Sequence, residues 1–355
     1  MKKMLVTGGA GFIGSNFVRY LLNSEEDLHI YNLDALTYAG SLENLTDLPR
    51  PDRHFFIEGD ISNESLVVDI LQKHQIDTIV HFAAESHVDR SILGPMPFIQ
   101  TNLVGTYTLL EAARKVWTEN GGFGGKRFHH VSTDEVYGSL GPADDPFLET
   151  TPYDPRSPYS ATKAGSDHLV RAYYHTYKLP VTISNCSNNY GPYQFPEKLI
   201  PLMILNGLQE KPLPVYGDGK QIRDWLYVED HCEAIRMIVF NGRPGETYNI
   251  GGGNQPTNLE IILKLCEMLD EIKPLSYQHQ SLIQYIPDRP GHDRRYAMDY
   301  SKIHADLNWS PKYDLEKGLR TTIEWYLTHL DWVGKILNHA GYNDWLEKNY
   351  NQRHS

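Results

Sequence analysis

The sequence predicts an α/β fold in which a doubly wound parallel sheet is followed by a smaller, mixed α/β C-terminal lobe. Through the first half of the chain, short apolar runs alternate strictly with segments of helical periodicity. These runs are apolar enough to be covered on both faces, as strands of a parallel sheet are. A glycine-rich turn joins the first run to the first helical segment. After about residue 190, frequent prolines interrupt shorter helical segments, which indicates a separate, less regular lobe.

The elements follow from these patterns in chain order. The apolar runs predict six strands, at residues 3–7, 29–34, 54–60, 78–83, 127–133 and 181–188. Helical periodicity between them predicts helices at residues 11–23, 62–73, 100–118 and 158–178. Shorter helices are expected at residues 258–270 and 314–329. The polar segment 331–355 is predicted to be a packed C-terminal extension.

Composition and charge exclude several classes of protein. The 355-residue chain carries 45 Asp and Glu against 33 Lys and Arg, a net charge of −12. An acidic chain without a basic block is not expected to bind nucleic acid or an anionic membrane surface. No apolar stretch is long enough for a signal peptide or a membrane span, so a cytoplasmic protein is expected. Three cysteines without paired or metal-ligand spacing exclude a disulfide scaffold, and they are expected to be buried.

The glycine-rich segment, residues 8–14, predicts a dinucleotide site. Its bare backbone allows a diphosphate to approach the N-terminus of the first helix, while Gly14 permits close contact between helix and strand. The second strand ends in Asp34, where a carboxylate can accept both ribose hydroxyls of an adenosine. The same carboxylate repels a 2′-phosphate, and it is followed by Ala35 instead of an arginine. A Rossmann-type site for NAD, in preference to NADP, is therefore expected.

Two further strand ends face the same predicted crevice. Asp60 follows the third strand, and its carboxylate suits an adenine amino group and the N-cap of the next helix equally well. Ala83 and Ala84 after the fourth strand leave room for a cofactor, and Ser86 can donate a hydrogen bond to a ligand. His87 suits a structural hydrogen bond as well as a role in the site. No histidine or acid has metal-ligand spacing, so no metal is expected.

Tyr159 and Lys163 form a candidate acid–base pair. Their spacing of four residues puts both side chains on one face of a helix. A nearby ammonium favours tyrosinate and is expected to bring the pKa of the phenol down from about 10 toward working pH. The tyrosine can then remove a hydroxyl proton while hydride leaves the same carbon. Tyr174 and Lys178 share the spacing, but Tyr159 follows Ser157 and Pro158 at a helix start, in the crossover after the fifth strand.

Two adjacent carboxylates, Asp134 and Glu135, follow the fifth strand directly. They are expected over the cofactor crevice, at the carboxyl end of a parallel strand. A plain dehydrogenase needs no acid–base pair beyond its tyrosine, whereas an elimination needs a base for a proton and an acid for the departing oxygen. The alternative interpretation is a solvated acidic turn.

Together these motifs resemble the extended short-chain dehydrogenase/reductases. Within that superfamily they are similar to the dTDP-glucose 4,6-dehydratases over roughly residues 1–330, and Thr133-Asp134-Glu135 is the most specific part of the match. Related epimerases and decarboxylases share the glycine loop and the Tyr/Lys pair but usually lack these acids. The segments that carry the resemblance are residues 8–14, 34–40, 83–91, 132–138, 159–163 and 187–192.

The resemblance implies a redox-neutral reaction on dTDP-glucose. Tyr159, assisted by Lys163 and with Thr133 bonded to the same oxygen, takes the proton of the 4-hydroxyl as the C4 hydride passes to NAD. Glu135 then removes the acidified C5 proton, while Asp134 protonates the C6 hydroxyl, which leaves as water. Hydride returns to C6, so the cofactor is regenerated in each turnover. Asp134 must hold a proton for this role, and a raised pKa is expected for it.

The resemblance also implies a wider set of contacts. Expected NAD contacts are Gly8, Gly11, Phe12, Ile13, Gly14, Asp34, Ala35, Leu36, Thr37, Asp60, Ile61, Ala83, Ala84, Ser86, Thr101, Ser132, Tyr159, Lys163 and Asn189. Expected substrate contacts are Ser86, Thr133, Asn188, Lys198, Leu199, Pro214, Tyr216, Arg223, Asn258, Asp288 and His292. Arg223 suits a diphosphate because a planar guanidinium grips it through two parallel bonds.

The same match implies the domain division and the partners. Residues 1–189, with 222–250 returning to them, are expected to form the NAD-binding domain. Residues 190–221 and 251–330 are expected to form the sugar-nucleotide-binding lobe. A homodimer through the helices near residues 100–118 and 159–178 is implied by resemblance. A UDP-glucose 4,6-dehydratase, a nucleotide-sugar 4-epimerase and a non-catalytic NAD- or sugar-nucleotide-binding regulatory protein remain alternatives.

Overall fold

The predicted strands assemble into one parallel sheet. The computed structural model describes residues 2–288 and 292–338. Seven strands form the main sheet in the order β10-β6-β5-β4-β1-β2-β3, all parallel, and the chain reverses direction of winding between β1 and β4. The predicted doubly wound α/β fold is thus confirmed. The strands are β1 (Lys2–Thr7), β2 (Leu28–Asp34), β3 (His54–Glu58), β4 (Thr78–His81), β5 (Arg127–Thr133), β6 (Val181–Cys186), β7 (Asn188–Tyr190), β8 (Leu213–Tyr216), β9 (Trp225–Tyr227), β10 (Thr247–Ile250) and β11 (Ile283–Ile286).

The helices cover both faces of this sheet and build the second lobe. Local sequence fixes several helix starts: Asn63 caps α2, Ser157 and Ser160 form a capping box on α6, and Thr257 and Glu260 form one on α9. The helices are α1 (Phe12–Ser24), α2 (Glu64–His74), α3 (Val88–Leu93), α4 (Met96–Phe98), α5 (Thr106–Glu119), α6 (Pro158–Tyr177), α7 (Leu199–Leu208), α8 (Val228–Asn241), α9 (Asn258–Ile272), α10 (Ser301–Leu307), α11 (Leu315–Thr328) and α12 (Leu330–Leu337).

Two predicted elements differ from the structure. The strand expected at residues 181–188 divides at Ser187, because the Ser187 amide donates to Ile250 of β10 while the Asn188 amide donates to Asp224 beside β9. The helix expected at residues 100–118 is preceded by a π-helical segment, Ile99–Gly105, that continues from α4 into α5. Within it, Asn102 exchanges hydrogen bonds of 2.9 and 3.0 Å with the backbone of Glu85. That exchange fixes the loop after β4 at the edge of the sheet.

Apolar cores lie on both faces of the sheet and in the second lobe. On one face α1 and α8 pack through Phe17, Leu21, Ile235 and neighbouring side chains. On the other face α2, α5 and α6 pack together around Trp117. A separate cluster joins α7, α9, α11 and α12. The segment from α8 through β10 thus packs with the sheet, although the residue boundaries of the two expected domains stay a prediction.

The C-terminal extension contacts the glycine-rich end of the sheet. Trp332 on α12 donates from Nε1 to the Asn44 side chain at 2.9 Å, and Asn44 donates to the carbonyl of Ala10 at 2.7 Å. The last helix is therefore tied to the loop between β1 and α1. The rest of the extension, 339–355, lies outside the described residues. Within the ranges that are described, no helix is both long and apolar enough to span a membrane.

Candidate active site

One cleft runs along the carboxyl ends of the central strands, where the winding reverses. Parallel α/β sheets bind ligands at this position. The cleft brings together residues that lie far apart in the sequence, from the glycine loop to the segment before α7. Of the expected site residues it is lined by Gly8, Gly11, Phe12, Ile13, Gly14, Asp34, Ala35, Thr37, Asp60, Ile61, Ala83, Ala84, Ser86, Thr101, Ser132, Thr133, Asp134, Glu135, Tyr159, Lys163, Asn188, Asn189 and Lys198.

The glycine loop is shaped so that backbone faces the cleft. Gly8 has a φ of +74°, and a Cβ there would lie 2.6 Å from the Ala83 amide nitrogen. A Cβ at Gly14 would lie 2.2 Å from the Gly8 carbonyl oxygen. Gly11 occupies the N-cap of α1, and no side chain caps this helix end. The open N-terminus of α1 therefore fits an anionic group such as a diphosphate.

Asp34 closes the cleft at the end of β2. Its two carboxylate oxygens accept the amides of Ala10 and Leu36, each at 2.9 Å, which fixes the orientation of the carboxylate. Burial raises the pKa of Asp34, and the two amides oppose that shift. Leu36 is absent from the cleft lining and acts here through its backbone. An oriented acceptor beside Ala35 fits the ribose of NAD.

Asp60 does not cap the helix that follows it. It accepts the backbone amide and the hydroxyl of Ser62, both at 2.8 Å, whereas Asn63 caps α2. The N-cap interpretation of Asp60 is therefore wrong for α2, because the helix begins three residues later than that interpretation requires. Asp60 lines the cleft beside Ile61.

The loop after β4 is fixed by ionic and aromatic contacts. The Ser86 hydroxyl lies 3.5 Å from the Tyr38 hydroxyl, and the Arg90 guanidinium stacks 4.1 Å from the centre of the Tyr38 ring. Glu197, from the segment before α7, lies 3.4 Å from Arg90 and 3.6 Å from His87. Since His87 is buried against Glu197, its contacts match the structural interpretation of this histidine. These contacts join three loops at the rim of the cleft.

Thr133, Asp134 and Glu135 form the turn that ends β5. The Thr133 hydroxyl accepts the Glu135 amide at 3.3 Å and lies 3.2 Å from Asp134 Oδ1. Asp134 is only 2% exposed. Burial, followed by the charge of Glu135, raises the pKa of Asp134 well above its ordinary value. The direction of this shift favours the protonated form of Asp134, as the elimination interpretation requires.

Tyr159 and Lys163 lie on the first turns of α6 and line the same cleft. Lys163 donates from Nζ to the Val131 carbonyl at 2.9 Å and lies 3.4 Å from His130 Nε2. Burial lowers the pKa of Lys163 to about 8. The expected lowering of the Tyr159 pKa is wrong for the protein alone: burial, followed by the charge of Glu135, raises it well above its ordinary value, and a hydrogen bond from Thr133 opposes the rise.

The other expected substrate residues lie outside the lining of this cleft. Arg223 stacks 4.4 Å from the centre of the Tyr296 ring and donates to the Ile222 and Asp293 carbonyls at 2.8 and 2.9 Å. Its charge also opposes the raised pKa of Asp134, for which burial is the main cause, so Arg223 lies near the two candidate acids. Leu199 begins α7, and Pro214 lies on β8.

The remaining four residues of this group form a connected set around the carboxylate of Asp288. Asp288 Oδ1 lies 2.6 Å from His292 Nδ1, and Asp288 Oδ2 accepts from Gln221 at 3.0 Å. The Tyr216 ring meets the His292 ring edge-on, with centroids 6.3 Å apart. Asn258 is adjacent through its amide, which donates to the Gln221 carbonyl at 2.8 Å.

The cleft also contains residues that sequence reasoning did not assign. Cys186, expected only as a buried thiol, lines it at the end of β6, together with Gln194 and Glu197. The position of Cys186 at the carboxyl end of a parallel strand was the available signal. Gln194 and Glu197 carry no local signal, because a turn before α7 brings them to the cleft. Within residues 2–288 and 292–338, no cluster of three or more potential metal ligands occurs.

Known proteins resemble this chain in both sequence and fold. The chain matches the family model described as GDP-mannose 4,6 dehydratase over residues 5–322. A dTDP-glucose 4,6-dehydratase of Salmonella typhimurium is 54% identical over 361 aligned positions, covering 99% of both chains. The structure of dTDP-glucose 4,6-dehydratase from Bacillus anthracis in complex with NAD is 46% identical, has a TM-score of 0.85 and covers 95% of this chain and 100% of that one. A Streptomyces venezuelae dTDP-glucose 4,6-dehydratase with NAD and a dTDP ligand bound is 45% identical, with a TM-score of 0.87 and coverage of 94% and 99%.

Proposed function

The chain belongs to the dTDP-glucose 4,6-dehydratase family, and we propose that it converts dTDP-glucose to dTDP-4-keto-6-deoxyglucose and water. The observation that carries this function is the juxtaposition of two acid–base systems in one cleft. Tyr159 and Lys163 enter from α6, while Asp134 and Glu135 enter from the end of β5. Oxidation needs the first system, and elimination of water needs the second as well.

NAD is the cofactor, and the residues present fit it. When bound, it supplies the hydride acceptor for C4 and the hydride donor for C6 of the sugar. The uncapped N-terminus of α1 and the bare glycine backbone hold its diphosphate. Asp34 holds the adenosine ribose through the carboxylate that Ala10 and Leu36 orient.

Tyr159, Thr133 and Lys163 act on the 4-hydroxyl of the sugar. Tyr159 accepts its proton as a phenolate. Burial and the charge of Glu135 disfavour that phenolate in the protein alone, whereas the hydrogen bond from Thr133 and a nearby ammonium favour it. Lys163 contributes a positive charge from the same helix face while it is protonated, which is below its pKa of about 8. The product of this step is a 4-ketone, whose neighbouring C5 proton is acidic.

Asp134 and Glu135 then divide the elimination between them. Glu135 takes the C5 proton, because it is the acid of the pair that lies less deeply buried. Asp134 gives its proton to the C6 hydroxyl, which departs as water. Burial and then the charge of Glu135 raise the pKa of Asp134, and this keeps the proton available at neutral pH.

The setting of the reaction is part of the same proposal. The product serves dTDP-rhamnose or other deoxysugar biosynthesis in the cytoplasm, where three free thiols remain reduced. Large apolar side chains exposed on α3, α4 and α5, among them Leu93, Met96 and Tyr107, support a homodimer through this face. Arg223, Tyr216, Asp288 and His292 are the proposed contacts of the second lobe with the sugar nucleotide.

Incubation with dTDP-glucose or UDP-glucose in deuterated water tests the function. We expect dTDP-glucose to give a 4-keto-6-deoxy product carrying deuterium at C5, because Glu135 exchanges that proton with solvent. Tyr159→Phe serves as the matched control and is expected to give no product. An epimerised hexose without deuterium would identify a 4-epimerase, and preferential turnover of UDP-glucose would indicate a different base specificity. Binding without turnover would indicate a regulatory protein. Each of these outcomes contradicts the proposal.

A further inference from the structure

A fully buried carboxylate lies one helical turn beyond Lys163. Asp167 is 0% exposed, and its Oδ2 accepts the hydroxyls of Ser132 at 3.0 Å and Tyr153 at 2.8 Å. Asn185 also donates to Oδ2, at 3.3 Å. Strands β5 and β6, helix α6 and the loop before α6 thus all contribute to one small polar site. Such a site is costly to bury unless its charge is balanced.

His130 lies between this carboxylate and Lys163. Its Nε2 is 3.2 Å from Asp167 Oδ1 and 3.4 Å from Lys163 Nζ. Within the described residues, neither His130 Nδ1 nor Asp167 Oδ1 has a hydrogen-bond partner, and His130 Nε2 also lies 3.2 Å from the Ser166 hydroxyl. A neutral ring nitrogen either donates or accepts, so Nε2 cannot bond Asp167 and Lys163 at the same time. Asp167 therefore acts on Lys163 through its charge, across the buried ring that lies between them.

The groups around Lys163 lie on four elements: β4, β5, β6 and α6. His130 and the Val131 carbonyl lie on β5, and Tyr159 shares α6 with Asp167. His81 on β4 and Cys186 at the end of β6 lie close enough to Lys163 that its charge shifts their pKa values. Burial lowers the pKa of His130 to about 4 and that of His81 well below its ordinary value, so both rings are neutral at physiological pH.

Asp167 is the member of this set that carries a negative charge. Burial alone would raise its pKa, but His130, Lys163 and Tyr153 outweigh burial, and the pKa of Asp167 lies below its ordinary value. Burial lowers the pKa of Lys163 to about 8, and the charge of Asp167 opposes that shift. Without Asp167, the ammonium would lose its proton at a lower pH.

We propose that Asp167 is a positioning residue for the reaction: across His130, the charge of its carboxylate keeps the Lys163 ammonium protonated behind Tyr159. The inference rests on the proposed function, because it names the residue that keeps Lys163 charged for that reaction. Ser132 and Tyr153 hold the carboxylate in place through Oδ2, which leaves Oδ1 to face His130. Arg171 extends the network outward by donating to the Tyr153 hydroxyl at 2.8 Å.

Titration of Lys163 in Asp167→Asn tests the proposal. The Lys163 ammonium is followed by nitrogen NMR in full-length protein supplied with NAD, with Lys163→Met to assign the signal. We expect the midpoint to fall by about one pH unit or more, as loss of an opposite charge predicts. At pH 8 the charged fraction of a group whose pKa falls from about 8 by one unit drops roughly fivefold. The alkaline limb of kcat with dTDP-glucose should move down by the same amount.

Asp270→Asn is the matched control. Asp270 pairs with His279 at 2.5 Å, and His279 is fully buried, but the pair lies in the second lobe at α9. Its loss should move neither the Lys163 midpoint nor the pH profile. An Asp167→Asn protein whose Lys163 midpoint equals that of the wild type overturns the proposal. Since the NMR midpoint needs no turnover, it remains decisive even if dTDP-glucose is not the substrate.

A double-mutant cycle covers the case in which Asp167→Asn does not fold. If Asp167 balances Lys163, Asp167→Asn should be much less destabilising in the Lys163→Met background, because no unpaired buried charge remains. Urea unfolding of the four proteins measures this coupling. Recovery of folding in the double variant supports the proposal, whereas additive destabilisation, or a double variant that also fails to fold, overturns it.

Discussion

Asp134 and Glu135, the two acids after β5, have different surroundings, and these favour different proposed roles in the reaction. Asp134 is 2% exposed and bonded to the Thr133 hydroxyl, whereas Glu135 is only partly buried. Burial, reinforced by the charge of Glu135, raises the pKa of Asp134, which favours it as the proton donor. The proposed function therefore uses these two adjacent carboxyl groups as acid and base in one elimination.

Replacement of both acids should separate oxidation from elimination. We expect Asp134→Asn with Glu135→Gln to oxidise C4 and accumulate bound reduced cofactor, because Tyr159 and Lys163 are untouched. Loss of water should slow by about ten-thousandfold or more, since each of the two removed groups contributes about a hundredfold or more. Single-turnover absorbance of the reduced nicotinamide, followed with product analysis, measures both steps. Normal turnover by the double variant would show that other groups perform the elimination.

At the residue scale, the sequence predicts the local part of the site and misses the part made by packing. Thr133, Asp134, Glu135, Tyr159 and Lys163 lie in short motifs at strand or helix ends, so their positions follow from local pattern. The contacts of Asp167 with Ser132, Tyr153 and Asn185 join four segments. No periodicity reports which side chains meet when those segments pack. For the same reason, the sequence does not predict the raised pKa of Tyr159, because burial in the folded protein causes it.

At the element scale, the turn between β1 and α1 illustrates how tightly a strand and a helix fit. Gly14 on α1 lies so close to the Gly8 carbonyl that a Cβ would come within 2.2 Å of its oxygen. We expect Gly14→Ala to displace the loop and weaken NAD binding by about tenfold or more, since the diphosphate approaches this backbone. Isothermal titration with NAD measures the affinity.

Gly334→Ala is the control for this prediction. A Cβ at Gly334 on α12 meets no described atom within 4 Å, so alanine should leave NAD affinity unchanged and raise the melting temperature slightly. Equal NAD affinity in Gly14→Ala and wild type would mean that the loop absorbs the methyl group without moving the site.

Elements differ in how well the sequence predicts them. The first six strands are continuous apolar runs between turn residues, and each lies within a few residues of its predicted bounds. The edge strand β10, Thr247–Ile250, has four residues and no such run, so nothing in its composition distinguishes it from a loop. The π-helical segment Ile99–Gly105 depends on Asn102 reaching the backbone of Glu85, which is a tertiary contact.

At the scale of the whole molecule, the apolar surface of α3 to α5 predicts association. Leu93 is 77% exposed and Tyr107 50% exposed, which is unfavourable for large apolar side chains in an isolated chain. We expect Leu93→Glu with Tyr107→Glu to shift the protein from dimer to monomer in sedimentation velocity. Tyr285→Glu alters an equally exposed residue on β11 in the second lobe and should leave the dimer intact. A double variant that sediments as the wild type does would locate the dimer contact elsewhere.

Strand β10 lies at the edge of the main sheet, so β6 gains its outer partner only late in translation. This strand pairs with β6 from Thr247 to Ile250, and the Ile183 amide donates to Glu246 just before it. Until translation has passed residue 250, the edge of β6 therefore carries unpaired backbone groups. An exposed parallel edge is a template for pairing with another chain. A nascent chain stalled or truncated ahead of β10 is thus prone to aggregate until this strand, the last of the main sheet to be translated, has been made.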